Sequence, residues 1–136
     1  MIYLSLGTNS GDLEWNLDRA RALLAEALRT DLICSDIVRT KAVGFDGPDF
    51  LNQVVAFQGE IEPEALFDVC QGVEREMGRE RHEAEFDAQG RRVYHDRVID
   101  VDILLFNDRK ISTPRLTVPH PQVEERPFIR ELLNGI

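Results

Sequence analysis

Apolar residues recur along this chain at two different spacings, and the changes between them mark out six elements. Ile2, Leu4 and Leu6 alternate with Tyr3 and Ser5, which predicts a short strand ending at the turn signal GTNSGD. Leu13, Leu17, Ala20, Leu24 and Leu28 then repeat at helical spacing, with Asp12 placed to cap the helix and Glu14 suited to its positive end. LICSDIV at 32–38 and LNQVVAFQ at 51–58 predict two further strands, joined by RTKAVGFDGPDF, which is too long for a tight hairpin. Pro63 opens a second helix where its missing N–H costs nothing. Leu66, Val69, Cys70, Val73 and Met77 form its apolar stripe, and Gly78 closes it. The run ERHEAEFDAQGRRVYHD at 80–96 is strongly charged and aperiodic, and reads as a mobile surface loop. RVIDVDILLF at 97–106 predicts the fourth strand.

The order strand, helix, strand, strand, helix, strand is the ferredoxin-like pattern. The expected fold class is therefore α+β: a βαββαβ core with a four-stranded antiparallel sheet, helices packed on one face and the other face left for an active site. Side chains alternate along a strand, so Ile99, Val101, Ile103 and Leu105 share one face of the fourth strand. Asp100 and Asp102 share the other with Val98, Leu104 and Phe106. With the first set beneath the helices, both aspartates project from the uncovered face.

Composition narrows the possibilities without choosing among them. The 136 residues, 43% hydrophobic and 30% charged, suit one soluble domain spanning 1–136. A formal charge of −9 argues against general affinity for nucleic acid or acidic membrane, since no overall positive field gathers phosphates. No stretch approaches the ~20 apolar residues of a membrane helix, and no basic leader precedes the first strand, so a cytoplasmic location is the default. Cys34 and Cys70 lack CxxC spacing and read as buried thiols. A compact domain with one edge strand favours a monomer.

The chemistry lies in the fourth strand and in the segment C-terminal to it. Asp is a poor strand former, and two like charges roughly 7 Å apart on one face repel, so a cation is expected to compensate them. Arg97 begins the same strand, and RLTVPHPQVEERPF at 115–128 adds Arg115, Thr117, His120 and Arg126. Hard carboxylate oxygens suit Mg²⁺, whose shell is completed by water and nucleotide phosphates, and arginine forks suit phosphate. A structural ion-pair network uses the same groups. GTNSG lacks the Gly-Lys-Ser/Thr ending of a P-loop and reads as a connection from strand to helix.

These blocks resemble the 6-hydroxymethyl-7,8-dihydropterin pyrophosphokinase family. The likeness runs from LSLGTNSGD at 4–12 through DFLNQVVAF at 49–57 and GRER at 78–81 to RVIDVDILLF and RLTVPHPQVEERPF, nearly the whole chain. It implies transfer of the terminal pyrophosphoryl unit of ATP to the hydroxymethyl group of a reduced pterin, with release of AMP, in folate biosynthesis. It also implies that Asp100 and Asp102 hold two Mg²⁺ ions on the ATP phosphates. Arg79 and Arg97 neutralise phosphate charge, Arg115, Thr117, His120 and Arg126 line the triphosphate side, and Gln71 and Glu74 match nucleotide-site residues. Arg81 keeps the GRxR spacing of a second phosphate clamp, with Arg91 and Arg92 as alternatives. For the pterin, Phe50 and Phe128 match two sandwiching rings, Asn52 the amide that reads the polar edge, and Thr40 and Val43 adjoining loop positions. Tyr94-His95-Asp96 before Arg97, where Gly-Pro is common, and Lys41, where proline is frequent, depart from the family pattern.

Two other classes fit part of the pattern. A magnesium-dependent phosphohydrolase accounts for the aspartates and arginines but gives no role to Phe50, Asn52 and Phe128. A ferredoxin-like nucleotide-binding regulator needs neither both aspartates nor Arg79 and Arg97.

Overall fold

The computed structural model describes residues 1–42, 47–78, 88 and 98–136, together with the backbone of 85–86 and 92–93. In chain order the elements are β1 (Ile2–Thr8), α1 (Leu13–Leu28), β2 (Ile33–Cys34), β3 (Val38–Thr40), β4 (Phe50–Phe57), α2 (Pro63–Glu76), β5 (Glu85–Phe86), β6 (Arg92–Val93), β7 (Asp100–Phe106), β8 (Ile111–Ser112), β9 (Thr117–Val118), α3 (Gln122–Glu125) and α4 (Pro127–Asn134). Among the described residues the result is a mixed α/β structure with four helices. Its main sheet is antiparallel throughout, in the order β2-β4-β1-β7, with β3 also pairing with β4. Among the described residues no helix is long and apolar enough to cross a membrane.

Local chemistry explains the helices. Asp12 is extended and its carboxylate accepts the Trp15 N–H at 3.1 Å, which starts α1 at the expected place. Pro63 stands at the head of α2, and Gly78 adopts φ +91 beyond its end, a conformation that favours glycine. Leu17, Ala20 and Leu24 of α1 and Leu66, Cys70 and Val73 of α2 pack on Ile2, Leu4, Leu6, Val55 and Val101 of the sheet. This cluster is the main core.

The expected second strand is split. Cys34 pairs with Val55 but Val38 pairs with Asn52, so the register slips by one residue across 35–37. Ser35 fills the break: its N–H donates to the Val54 carbonyl and its hydroxyl accepts the Val54 N–H, both at 2.9 Å. The expectation that both cysteines are buried fails at Cys34, which is exposed because β2 is a two-residue edge strand. Cys70 is buried as expected.

The first strand does not end at Gly7. Gly7 and Thr8 pair with Asn52 and Leu51, and Gly7 also pairs with Asp100. The connection after it is tied down by side chains: the Asn16 amide donates to Thr8 Oγ1 at 3.0 Å and to the Ser10 carbonyl at 2.8 Å, and buried Asn9 donates to the Pro48 carbonyl at 3.1 Å. These bonds make it a structural joint.

β7 departs from simple alternation as well. Leu4 pairs with Ile103 and Tyr3 with Leu105, so Leu104 is an extra residue in a β-bulge. One extra residue reverses the alternation beyond it. Leu105 therefore leaves the helix face, while Phe106 joins it. Nor is the opposite face uncovered. Ile129 and Leu132 of α4 pack there on Val54 and Leu104, with Tyr3, Leu105 and Phe128 at the border of the cluster. Within the charged run expected as a mobile loop, Glu85–Phe86 pairs with Arg92–Val93, and most of its other residues lie outside the described set.

Candidate functional site

Two rows of side chains cross the central strands on the face away from α1 and α2. Asn52, Gly7 and Asp100 form one row, and Val54, Ser5 and Asp102 the next. The strand neighbours of the two aspartates on β1 are thus glycine and serine, small residues that leave room above them. Two inter-strand steps separate Asn52 from Asp100, roughly 10 Å. Gly7 lies between, and a Cβ added there would stand 3.5 Å from Asn52 Oδ1 and 3.7 Å from the Phe50 ring.

On the Asp100 side, β7 is the edge of the sheet, and its outer flank is met by α2 and by the segment after β9. Glu74 of α2 accepts the Val101 N–H at 3.0 Å. The carbonyl of bulged Leu104 accepts the His120 N–H at 2.9 Å. These contacts satisfy edge groups that would otherwise face solvent, and they fix Glu74 and His120 beside the aspartates. Between them opens a cavity of about 590 Å³, lined by Gln71, Glu74, Asp100, Asp102, Arg115, Thr117, His120 and Gln122, with Phe67 and Cys70 at its wall. That volume suits a small-molecule site.

His120 is set by its neighbours. Its Nδ1 accepts the Gln122 main-chain N–H at 3.1 Å, which leaves Nε2 to carry the proton, facing Asp102 Oδ1 at 4.0 Å. Burial lowers its pKa from the ordinary 6.5, opposed by the charges of Asp100 and Glu125. Gln122 donates its side-chain amide to Asp102 Oδ2 at 3.0 Å. Burial pushes the Cys70 thiol up, helped by the nearby Glu74 and Asp102 charges, so it stays protonated. Arg115 donates to Asp68 at 2.5 Å, pairs with Glu64 at 3.0 Å and lies 4.7 Å over the Phe67 ring, which ties its segment to α2. The Asp68 hydrogen bond raises its pKa further.

On the Asn52 side the groups are pre-arranged as well. The Asn52 amide donates to Thr40 Oγ1 at 2.8 Å and to the Val38 carbonyl at 3.3 Å. Phe50 opens β4 beside Gly7. Phe128, in the first turn of α4, lies against the sheet cluster with the Arg126 guanidinium 4.7 Å over its ring.

Of the residues singled out from the sequence, the cavity gathers Gln71, Glu74, Asp100, Asp102, Arg115, Thr117 and His120. Thr40, Phe50 and Asn52 form a second group reached through Gly7, and Arg126 and Phe128 a third at the start of α4. Val43, Arg79, Arg81, Arg91 and Arg97 lie outside the described residues. Two positions enter unannounced. Gly7 carried a signal, a glycine inside a strand pattern, which marks close approach. Gln122 carried none. Among the described residues, no group of three or more His, Cys, Asp or Glu is arranged to hold a metal ion.

The sequence matches known proteins along nearly its whole length. A family model described as 7,8-dihydro-6-hydroxymethylpterin-pyrophosphokinase matches residues 3–136. The chain is 38% identical over 138 residues to the 2-amino-4-hydroxy-6-hydroxymethyldihydropteridine pyrophosphokinase of Porphyromonas gingivalis, covering 100% of this chain and 90% of that protein. It is 39% identical over 129 residues to the Bacillus subtilis protein of the same name, with 93% of this chain and 72% of the relative covered. The corresponding Aquifex aeolicus protein is 37% identical over 128 residues, covering 93% of this chain and 74% of its own length.

Proposed function

Because the chain belongs to the 7,8-dihydro-6-hydroxymethylpterin-pyrophosphokinase family, we propose that it transfers pyrophosphate from ATP to 6-hydroxymethyl-7,8-dihydropterin in folate biosynthesis, with release of AMP. The observation that carries the reading is the row Asn52-Gly7-Asp100, which sets an amide platform and a carboxylate cavity side by side with only a glycine between them. An acceptor hydroxyl over Gly7 then lies within reach of phosphates held at Asp100 and Asp102. The ferredoxin-like reading of the core rests on the strand order β2-β4-β1-β7 with α1 and α2 on one face. We read the protein as a cytoplasmic monomer acting as one domain.

Asp100 and Asp102 suit Mg²⁺, because their donors are hard carboxylate oxygens beside a cavity able to take phosphates. When bound, two such ions would offset the negative charge of the triphosphate. The chain's own groups do the positioning. Gln71 and Glu74 border the nucleotide along α2, while Thr117, His120 and Arg115 border its phosphates from the segment across the cavity. Neutral His120 presents an N–H there. Phe50 and Phe128 flank the pterin, and Asn52, held by Thr40, reads its polar edge. The substrate hydroxyl attacks the β-phosphorus and AMP departs, a reaction that depends mostly on alignment and charge stabilisation. Its proton passes to Asp100 or Asp102. Arg79, Arg97 and Arg81 supply further phosphate neutralisation on the family pattern.

The test is chromatography of nucleotide products with ATP, Mg²⁺ and the pterin, each omitted in turn. AMP formed in step with pterin pyrophosphate, and only in the full mixture, is the expected result. ADP or inorganic phosphate released without pterin would overturn it in favour of a hydrolase. Asp102→Asn should lower AMP formation by roughly a hundredfold or more with the circular dichroism spectrum unchanged.

A further inference from the structure

The geometry points to Gln122 as a positioning residue of this site: one side chain and its own main-chain N–H together hold the carboxylate of Asp102 and the ring of His120. The side-chain Nε2 donates to Asp102 Oδ2 at 3.0 Å, and the main-chain N–H donates to His120 Nδ1 at 3.1 Å. These two partners face each other, His120 Nε2 lying 4.0 Å from Asp102 Oδ1. A carboxylate on a strand rotates freely about its last bond unless an oxygen is engaged, and a hydrogen bond from outside the coordination shell is what orients a metal-holding carboxylate.

The donor is itself well anchored. Gln122 is the first residue of α3, where the Arg126 N–H donates to the Gln122 carbonyl at 3.0 Å and the Glu125 N–H to the Pro121 carbonyl at 3.1 Å. Arg130 of α4 clamps the same turn through the Val123 carbonyl at 3.2 Å and Glu124 at 2.7 Å. The amide of Gln122 therefore approaches Asp102 from a fixed base. Its neutrality matters too: an amide orients the carboxylate without cancelling the charge that attracts a cation, whereas a guanidinium in its place would compete with the metal.

This inference rests on reading Asp102 as a metal-holding residue, and the experiment separates the two. Mn²⁺ binding to the full chain with a non-hydrolysable ATP analogue is followed by electron paramagnetic resonance for the unaltered protein, Gln122→Met, Gln122→Ala and Asp102→Asn. Gln122→Met keeps the length of the side chain but removes its amide and so the donor, and Gln122→Ala removes the same amide without adding a thioether. Thermal melts establish that each is folded. Both Gln122 variants should bind Mn²⁺ about tenfold more weakly. The Mg²⁺ concentration for half-maximal turnover should rise in step, with much of kcat recovered at saturating Mg²⁺. Unchanged Mn²⁺ affinity in both Gln122 variants, alongside a loss in Asp102→Asn, overturns the role of Gln122 alone. Unchanged affinity in Asp102→Asn as well overturns the metal reading and this inference with it.

Discussion

Gly7 and His120 show how much one position decides here. Gly7 separates the Asn52 and Asp100 side chains on the sheet surface, and the space above it accepts a Cβ at ordinary contact distance from Asn52 and Phe50. Gly7→Val should therefore fold, yet fill the proposed pterin floor. Titration calorimetry is expected to find pterin affinity lowered about tenfold or more, and binding of an ATP analogue unchanged. His120 carries a pH signature. Its folded pKa lies below the ordinary 6.5 because the ring is buried, so between the two values the unfolded chain binds the proton more readily. The stability that neutral His120 contributes is complete above about pH 6.5 and is lost as pH falls through the lower folded value. Melting temperature measured from pH 7.5 down to 5 should fall less steeply in His120→Gln than in the unaltered protein.

Among the elements, β7 and α4 form a coupled pair. Bulged Leu104 packs its side chain on Ile129 and Leu132 and offers its carbonyl to His120, so a packing contact and a site contact share one residue. Ile129 is 1% exposed, and Ile129→Ala should cost about 2–5 kcal/mol in chemical denaturation. Because α4 also carries Phe128, pterin affinity should fall in the same variant. The cap of α1 is a smaller effect. Asp12→Ala removes the bond to the Trp15 N–H and should cost about 1 kcal/mol without touching either binding affinity.

At the scale of the molecule, the candidate site groups are distributed around the most protected strands. β1 and β4 are each paired on both sides along the sheet, whereas β7 and β2 are edges. Native-state hydrogen exchange should be slowest for amides of β1 and β4 and faster for β2 and β3. Comparable exchange in β2 and β1 would contradict this ranking. Asn52 and Gly7 thus stand on the rigid centre, and Asp100 and Asp102 on an edge strand steadied by Glu74 and His120. With a net charge of −9, attraction of the proposed triphosphate must be local, which fits the proposed gathering of cations by the cavity's carboxylates.

The sequence alone determined α1, α2 and the cores of β1, β4 and β7, because each is written in periodicity and local capping: Asp12, Pro63 and Gly78 act within a few residues of themselves. It also exposed Asp100 and Asp102 as a pair, since two like charges on one strand face contradict strand chemistry. What the tertiary structure decided depends on partners far along the chain. The bulge that exchanges the faces of Leu105 and Phe106 arises from pairing with Tyr3 and Leu4, and the break around Ser35 arises from pairing with Val54. α4 lies on the supposedly open face because Val54 and Leu104 offer it an apolar seat. Gln122 meets Asp102 across 20 residues of chain, a separation over which no local pattern in a single sequence carries a signal.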